Sequence, residues 1–348
     1  MPSYFPKKAG RCWQLQQSAL DAKGFEPDPK QAAKWIRAAV KKGLPAAMSF
    51  LGRLHRHGFG VKKDAKEAVK WYRRAAEKGS VAGMINLQQV YRTGSGVEKD
   101  EKKAIAWARK AADLGHPRAM AILGSLYGLG IGTPQDHAKA IEWWRKAAAG
   151  NDPFGFRFLG QAYELGRGVK KDERQAVQWY RKGIKAGSTW CMVQLGTMHT
   201  HGRGGPRDPK AAFKLFRQAA VEGNARGMSN LGYAYASGNG VKTDDKQAVH
   251  WYRRAAEKGE SVSMYNLGFM YFHGRGVQQD DKRSLTWYRK AGNAGIADAL
   301  YRVGNFYLNG RGVKQSRDEA IKWFRKAAKA GSKRAAASLK KLGVTGKR

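Results

Sequence analysis

A pattern of apolar residues and glycines that recurs every 36 residues constrains this chain more than any other feature of its sequence. Each copy can be counted from one aliphatic position, which we call the repeat origin. A fixed period of this length is typical of stacked supersecondary units, since one such unit cannot bury its apolar face alone. The origins are Leu15, Leu51, Leu87, Leu123, Leu159, Leu195, Leu231, Leu267 and Val303, and a terminal half-copy has its origin at Leu339.

Each copy predicts two helices joined by a glycine turn. Around Leu51, apolar residues at a spacing of three to four indicate one buried helix face. Gly58 and Gly60 end this first helix, because glycine accepts a positive φ at a helix C-terminus. Asp64 stands where the second helix needs an N-cap, and Trp71 lies on the apolar stripe of that helix. The capping aspartates are Asp64, Asp100, Asp136, Asp172, Asp208, Asp244 and Asp280.

These motifs resemble the Sel-one-like repeat, a relative of the tetratricopeptide repeat. The resemblance implies an all-α, right-handed α/α superhelical solenoid of about nine repeats plus a C-terminal capping helix, with first helices on the concave side. We expect one solenoid over residues 11–342, an N-terminal extension at 1–10 and a basic tail at 343–348. The motifs that carry the resemblance are Leu51-Gly52, Gly58-x-Gly60-Val61-x-x-Asp64 and Ala68-x-x-Trp71-Tyr72-x-x-Ala75-Ala76-x-x-Gly79.

The charge balance is strongly basic. The chain has 66 Lys and Arg residues against 27 Asp and Glu residues, a formal net charge of +39. Such an excess raises encounter rates with anionic partners, and it does not choose among acidic proteins, nucleic acid and anionic lipid.

The sequence has no run of about 18 apolar residues, which a transmembrane helix would need. Its first residues lack a hydrophobic stretch, so we expect a cytoplasmic protein, or a periplasmic one if a signal peptide has been removed. Cys12 and Cys191 are 179 residues apart and predict free buried thiols rather than a disulfide framework. We expect a monomer.

No motif indicates catalysis, so we expect no catalytic residue, no metal, no cofactor and no enzyme activity. His55-x-His57 and His199-x-His201 look like metal pairs, but residues two apart on a helix point in different directions. We interpret His55 and His199 as substitutes for a buried tyrosine, with metal binding as the alternative. A calcium site at the aspartates is a remote alternative to capping. The glycine turn follows a helix rather than a strand, which disfavours a phosphate loop.

An arginine stands 22 residues after every origin and should lie on the outer face of the second helix. One interpretation is a track for a polyanion. The other is a solvated helix face with intrahelical pairs such as Arg73–Glu77, Arg109–Asp113 and Arg253–Glu257. The outer arginine row comprises Arg37, Arg73, Arg109, Arg145, Arg181, Arg217, Arg253, Arg289 and Arg325.

The concave lining follows from tetratricopeptide geometry as first-helix positions −5, −2, +2, +5 and +6 from the origin. It contains arginines in its first half, aromatic residues in its second half and no lysine. Arginine and aromatic residues dominate binding anchors, whereas lysine is depleted at interfaces. Packing of these aromatics between repeats is the alternative. The predicted partner-binding residues are Arg53, Arg56, Arg92, Arg118, Arg157, Trp190, Arg226, Tyr233, Tyr265, Phe269, Phe272 and Tyr301.

We therefore expect a non-catalytic scaffold that binds an acidic partner protein in its concave groove. The resemblance implies bacterial adaptors and, most specifically, an immunity protein that neutralises a phospholipase toxin of type VI secretion. The partner would then be a secreted lipase or phospholipase. The alternatives are polyanion binding (nucleic acid or anionic lipid) along the outer arginine row, and an envelope or signalling adaptor.

Overall fold

The computed structural model describes residues 28–344, which contain 18 α-helices and no strand. The all-α class predicted from the repeat is confirmed. The first helix of the copy at Leu15, Cys12 and the extension at 1–10 lie outside the described residues. The chain falls into two compact units, Met1–Lys171 (unit 1) and Asp172–Arg348 (unit 2), which are described separately. A single solenoid over 11–342 stays a prediction.

The described part of unit 1 contains eight helices, and each packs against the next along the chain. The first belongs to the copy at Leu15, and the others alternate between first and second helices of their copies. The helices are α1 (Pro29–Lys41), α2 (Pro45–His57), α3 (Ala65–Glu77), α4 (Val81–Thr93), α5 (Glu101–Asp113), α6 (Pro117–Leu129), α7 (His137–Ala149) and α8 (Pro153–Leu165).

The described part of unit 2 contains ten helices with the same consecutive packing. Its last helix is the predicted terminal half-copy. The helices are α9 (Glu173–Lys185), α10 (Thr189–His201), α11 (Pro209–Val221), α12 (Ala225–Ser237), α13 (Asp245–Glu257), α14 (Ser261–His273), α15 (Asp281–Asn293), α16 (Ala297–Asn309), α17 (Arg317–Lys329) and α18 (Lys333–Lys341).

The helix ends follow the predicted caps. Asp100, for example, accepts a hydrogen bond from the backbone amide of Lys103 at 2.8 Å, and all seven capping aspartates accept the equivalent bond. Gly94 ends α4 with a φ of 71°. The second turn glycine, Gly96, is required for another reason. A Cβ on it would lie 2.1 Å from the carbonyl oxygen of Ala65, at the start of the preceding second helix.

The core of each copy joins its two helices. In the eight copies whose two helices are both described, the origin residue is buried, and the residue after it is a glycine in all but one. That glycine leaves room for the aromatic ring 20 residues further on, as where a Cβ on Gly268 would lie 2.7 Å from the Tyr288 ring. The tryptophan before that ring, such as Trp287, is only half-buried and borders the core.

First helices of adjacent copies also contact one another, as α2 does with α4, α6 with α8, and α10 with α12. Equivalent positions on such neighbours lie roughly 10 Å apart. The first helices thus present a shared surface within each unit.

Candidate functional site

One side of each first helix is a stripe of residues at −5, −2, +2 and +6 from the origin. In α6 this stripe contains Arg118, Ala121, Ser125 and Leu129. Its members lie three to four residues apart, so they fall on one side of the helix. The side chains at −5 and +6 reach solvent most, whereas those at +5 are half-buried or buried. We call the set of stripes within a unit its first-helix face.

Three of the predicted arginines lie on the early copies of unit 1. Arg53 is exposed, and its guanidinium carbon lies 5.2 Å from the centre of the Phe50 ring. Arg56 is half-buried. Arg92 is also half-buried and donates a hydrogen bond to the Gln89 side chain at 3.1 Å. These arginines belong to the first-helix face or its border.

The other two arginines of unit 1 surround an aromatic cluster that the sequence reasoning missed. The Arg118 guanidinium lies 3.6 Å from the centre of the Phe154 ring, and its Nε lies 3.6 Å from the buried Asp152 carboxylate. Arg157 lies over both Phe154, at 5.8 Å, and Phe158, at 5.2 Å. Phe154 stands at a predicted lining position and is 37% exposed. A prediction that considers only the arginines of this half does not find it.

Two further apolar side chains of unit 1 were missed. Leu129 is 66% exposed and Leu165 is 47% exposed, and they occupy the +6 position of adjacent first helices. Both are the last residues of their helices. The other described copies have His, Thr, Ser or Asn there, so comparison of the copies could have found them.

Unit 2 places its predicted residues differently. Tyr233 is 57% exposed and Arg226 is exposed, so both lie on the first-helix face. Trp190 is half-buried and packs edge-on against Tyr180, with ring centres 5.8 Å apart. Of these three, only Tyr233 offers a largely free aromatic ring.

Two rings of α14 pack on neighbouring helices. Tyr265 meets Tyr288, on the second helix of its own copy, edge-on at 5.3 Å. Phe272 meets Phe306, on the first helix of the next copy, edge-on at 5.6 Å. Both border the core cluster that joins α15 to α16. The Arg311 guanidinium covers the Phe272 ring at 4.1 Å. The Phe272 ring therefore has core residues on one side and the Arg311 guanidinium on the other.

Phe269 packs against the core cluster that joins α13 of the preceding copy to α14, and its ring centre lies 4.3 Å from that of His273. Tyr301 lies against Phe324 at 5.6 Å. Phe269 and Phe272 are both half-buried in the packing of the copies. Whether these residues also contact a partner stays a prediction.

The outer arginine row has a structural partner that sequence reasoning missed. Arg73 donates to the Tyr91 hydroxyl at 3.1 Å, from a second helix to the first helix of the next copy. Four other arginines make the same bond, and every arginine of the row except the half-buried Arg289 is exposed. The bonded pairs are Arg73–Tyr91, Arg109–Tyr127, Arg145–Tyr163, Arg253–Tyr271 and Arg289–Tyr307.

The predicted intrahelical pairs are wrong. Among the described residues, no ion pair joins Arg73 to Glu77, and the equivalent pairs of α5 and α13 are also absent. The tyrosine hydroxyl of the next copy competes successfully because it is held in place by a half-buried or buried ring. The constant spacing of 18 residues between Arg and Tyr could have revealed this bond.

The basic residue after each of these arginines covers the tryptophan of its own copy. The cation lies 4.3–4.9 Å from the ring centre in seven copies. A ring whose face is already covered is poorly placed to stack on a nucleobase. The pairs are Trp71–Arg74, Trp107–Lys110, Trp143–Lys146, Trp179–Lys182, Trp251–Arg254, Trp287–Lys290 and Trp323–Lys326.

The remaining candidates for chemistry have local roles. His55 Nδ1 lies 3.3 Å from the carbonyl oxygen of Lys62, and His57 ends α2. His201 ends α10, and its Nδ1 lies 2.8 Å from the carbonyl oxygen of Thr197. Over residues 28–344, no three His, Cys, Asp or Glu side chains gather as a metal site would require. Cys191 is a buried thiol. No helix in this range has the length and apolarity to cross a membrane.

The electrostatics follow from caps and burial. The backbone amide at the third helical residue holds the pKa of Asp64, Asp100 and Asp136 below its ordinary value. Burial raises the pKa of the Tyr252 and Tyr288 hydroxyls. These are the signatures of structural groups, since caps are stabilised as anions and core tyrosines stay neutral.

Helix pairs stacked in sequence, glycine turns and a ring seated on a glycine define a helical-repeat protein of the solenoid class. The chain belongs to the Sel1 repeat family. Nine copies match the sequence model of the Sel1 repeat, at residues 20–44, 45–80, 82–116, 117–152, 157–188, 191–224, 225–260, 261–296 and 297–332. A comparison with curated proteins gives no match.

Solved structures of similar proteins share the fold. One is a protective antigen of uropathogenic Escherichia coli strains with an SLR fold, 32% identical over 89% of this chain and 67% of that one, with a TM-score of 0.62. Another is a Sel1 repeat protein from Oxalobacter formigenes, 28% identical over 94% of this chain and 99% of that one, with a TM-score of 0.62. An immunity protein from Pseudomonas aeruginosa is 20% identical over 67% of this chain and 84% of that one, with a TM-score of 0.44.

Proposed function

We propose that this protein is a non-catalytic scaffold that binds an acidic partner protein on the face formed by its first helices. The observation that carries the proposal is the composition of this face. In unit 1 the first-helix face combines Arg53 with the exposed Leu129, and in unit 2 it combines Arg226 with the exposed Tyr233. Arginines beside apolar anchors are typical of protein interfaces, and the net charge of +39 favours an acidic partner.

Polyanion binding along the outer arginine row ranks below this proposal. Five of the nine arginines in that row are held by tyrosine hydroxyls, and the neighbouring cations cover tryptophan rings. What remains is an exposed basic surface, for which we expect weak, salt-sensitive affinity without sequence selectivity.

A narrower proposal is that the chain is an immunity protein for an acidic phospholipase toxin of type VI secretion. It rests on charge complementarity, because the likeness to the Pseudomonas aeruginosa immunity protein is too distant to support a shared partner. Expression of the phospholipase alone should arrest growth, and co-expression of this chain should restore it. Failure to restore growth rejects the immunity role and leaves the scaffold role open.

The scaffold role can be tested by photo-crosslinking in the native cell. A benzoylphenylalanine at Tyr233, on the first-helix face, should crosslink to one acidic protein identifiable by mass spectrometry. The matched control carries the same group at Lys70, an exposed position of the outer helix α3. Crosslinks to nucleic acid, or crosslinks from Lys70 only, contradict the proposal.

A further inference from the structure

The first-helix face of unit 1 carries an unusual concentration of exposed apolar side chains. Leu129, Phe154 and Leu165 are among the large apolar residues in 28–344 that are exposed to solvent, at 66%, 37% and 47%. All three lie on α6 and α8, two first helices in direct contact. Solvent exposure of such side chains costs free energy unless another surface covers them.

The positions of these residues define two ends of one surface. Leu129 and Leu165 occupy the +6 position of adjacent helices, at the ends next to the glycine turns. Phe154 occupies the −5 position of α8, at the opposite end, where Arg118 of α6 lies on its ring at 3.6 Å. The two ends are eleven residues apart along a helix, which is roughly 16 Å. This length fits a short peptide segment of about three helical turns or about five extended residues.

Each end of the surface has an arginine. Arg118, at the −5 end, remains partly exposed, although Asp152 lies 3.6 Å from its Nε. Arg92 stands at the +5 position of the neighbouring first helix α4, next to the leucine end, and is half-buried beside Gln89. The stripe of α6 between Arg118 and Leu129 carries only small side chains, so it does not obstruct an approaching chain. An occupant therefore meets the leucines with one guanidinium group near them and a second guanidinium group at the opposite end.

We propose that this surface of α6 and α8 is the anchor site for an acidic amphipathic segment of a partner protein. The inference rests on the proposed scaffold function and names where in the chain the partner is held. Large apolar side chains of the segment cover Leu129 and Leu165, and its carboxylates lie toward Arg118 and Arg92. A protein segment fits better than nucleic acid, because nucleic acid offers no aliphatic side chains to cover two leucines.

The test uses the full chain and a displayed library of random 12-residue peptides. Enriched peptides should combine Asp or Glu with large apolar residues. The best peptide, made synthetically with a fluorophore, is then titrated by anisotropy. Leu129→Ser with Leu165→Ser should raise the Kd about tenfold or more, as expected when two anchors are lost. Both positions are exposed, and circular dichroism checks that the variant stays folded.

Leu114→Ser supplies the matched control. Leu114 is 59% exposed in the same unit but lies at the end of α5, a second helix. This variant should leave the Kd unchanged. Equal loss in Leu114→Ser would overturn the proposal, because any exposed leucine would then suffice. Equal binding of a peptide whose apolar residues are replaced by serine would also overturn it, since charge alone would explain the affinity.

Two outcomes separate this proposal from the scaffold function. Peptide binding that survives the two leucine substitutions but is lost in Tyr233→Ser places the anchor in unit 2. This outcome contradicts the proposed anchor site and agrees with the scaffold function. Enrichment of no peptide, with tight binding of vesicles of anionic lipid instead, contradicts both.

Discussion

The two units use the same repeat, but they use its variable positions for opposite purposes. In α14 of unit 2 the positions −2, +2 and +5 from the origin all hold rings that pack on neighbouring helices, as Phe272 does on Phe306. In unit 1 these three positions hold no aromatic ring, and large apolar side chains such as Leu129 stay in solvent. Several turns differ as well. Arg275 forms a two-bond ion pair with Asp245 across copies, and Arg311 does the same with Asp281, whereas Phe59, Ser95 and Ile131 stand at this turn position in three copies of unit 1.

This difference teaches that residue type alone does not identify an interface on a repeat protein. Aromatic residues indicate a binding surface only where the repeat leaves them uncovered. In α14 the aromatic rings are packed against core clusters, so their apolar area already contributes to the stability of the fold. In α6 and α8 the neighbouring copies leave leucines exposed, and these remain available to a partner.

The largest expected effect concerns the one described copy that lacks the ring seated on glycine. Gln88 and Ala108 stand in unit 1 where other copies have glycine and an aromatic residue, and Gln88 is buried. Ala108→Tyr alone should destabilise the copy by about 3 kcal/mol through overpacking. Adding Gln88→Gly should recover most of this loss, giving a coupling free energy of about 2–3 kcal/mol. Hydrogen exchange of the backbone amides of α4 and α5 in the single and double variants measures this coupling free energy. Strictly additive effects would show that the two positions do not share one space.

The next effect compares the two units directly. Phe272→Ala should lower the free energy of unfolding by about 2 kcal/mol, because the half-buried ring packs on Phe306 and Arg311. Leu129→Ala should change it by less than about 0.5 kcal/mol, because that side chain is mostly in solvent. Urea unfolding of both variants decides the matter. Similar losses in the two variants would remove the contrast between the faces.

The smallest expected effect is a dependence of the free energy of unfolding on pH. Asp100 caps α5 as an anion, and its pKa in the folded chain lies below its ordinary value of about 3.9. The stabilisation is therefore complete above the unfolded pKa and is lost as the pH falls through the folded pKa. Asp100→Asn keeps a capping side chain without this titration. Unfolding at pH 7 and pH 3 should show a smaller acid loss in the variant than in the parent chain, and an equal loss would contradict the assignment.

The sequence predicts the fold well because its determinants are local and repeated eight or nine times. Caps such as Asp64 and turn glycines such as Gly58 act on neighbouring residues, so their spacing is enough to place the helices. The candidate site is different, because exposure depends on the neighbouring copy. Phe269 and Leu165 occupy similar stripes, yet one packs on a core cluster and the other does not. The bond from Arg73 to Tyr91 joins two copies and was missed for the same reason.

The second turn glycine has a consequence beyond the fold of one copy. Its close approach is to backbone atoms of the preceding second helix, so this contact does not depend on which side chain stands there. Gly60, Gly96 and Gly276 meet three chemically unrelated residues, Pro29, Ala65 and Asp245, in the same way. The backbone part of the joint is therefore the same between different copies, while side-chain contacts such as Phe272 on Phe306 are specific to their copies. Duplication or loss of a whole 36-residue stretch in the gene therefore keeps the backbone contact at the new joint, and only side-chain contacts there have to adjust. Copy number is thus a quantity on which selection can act directly, while the face of each copy diverges on its own.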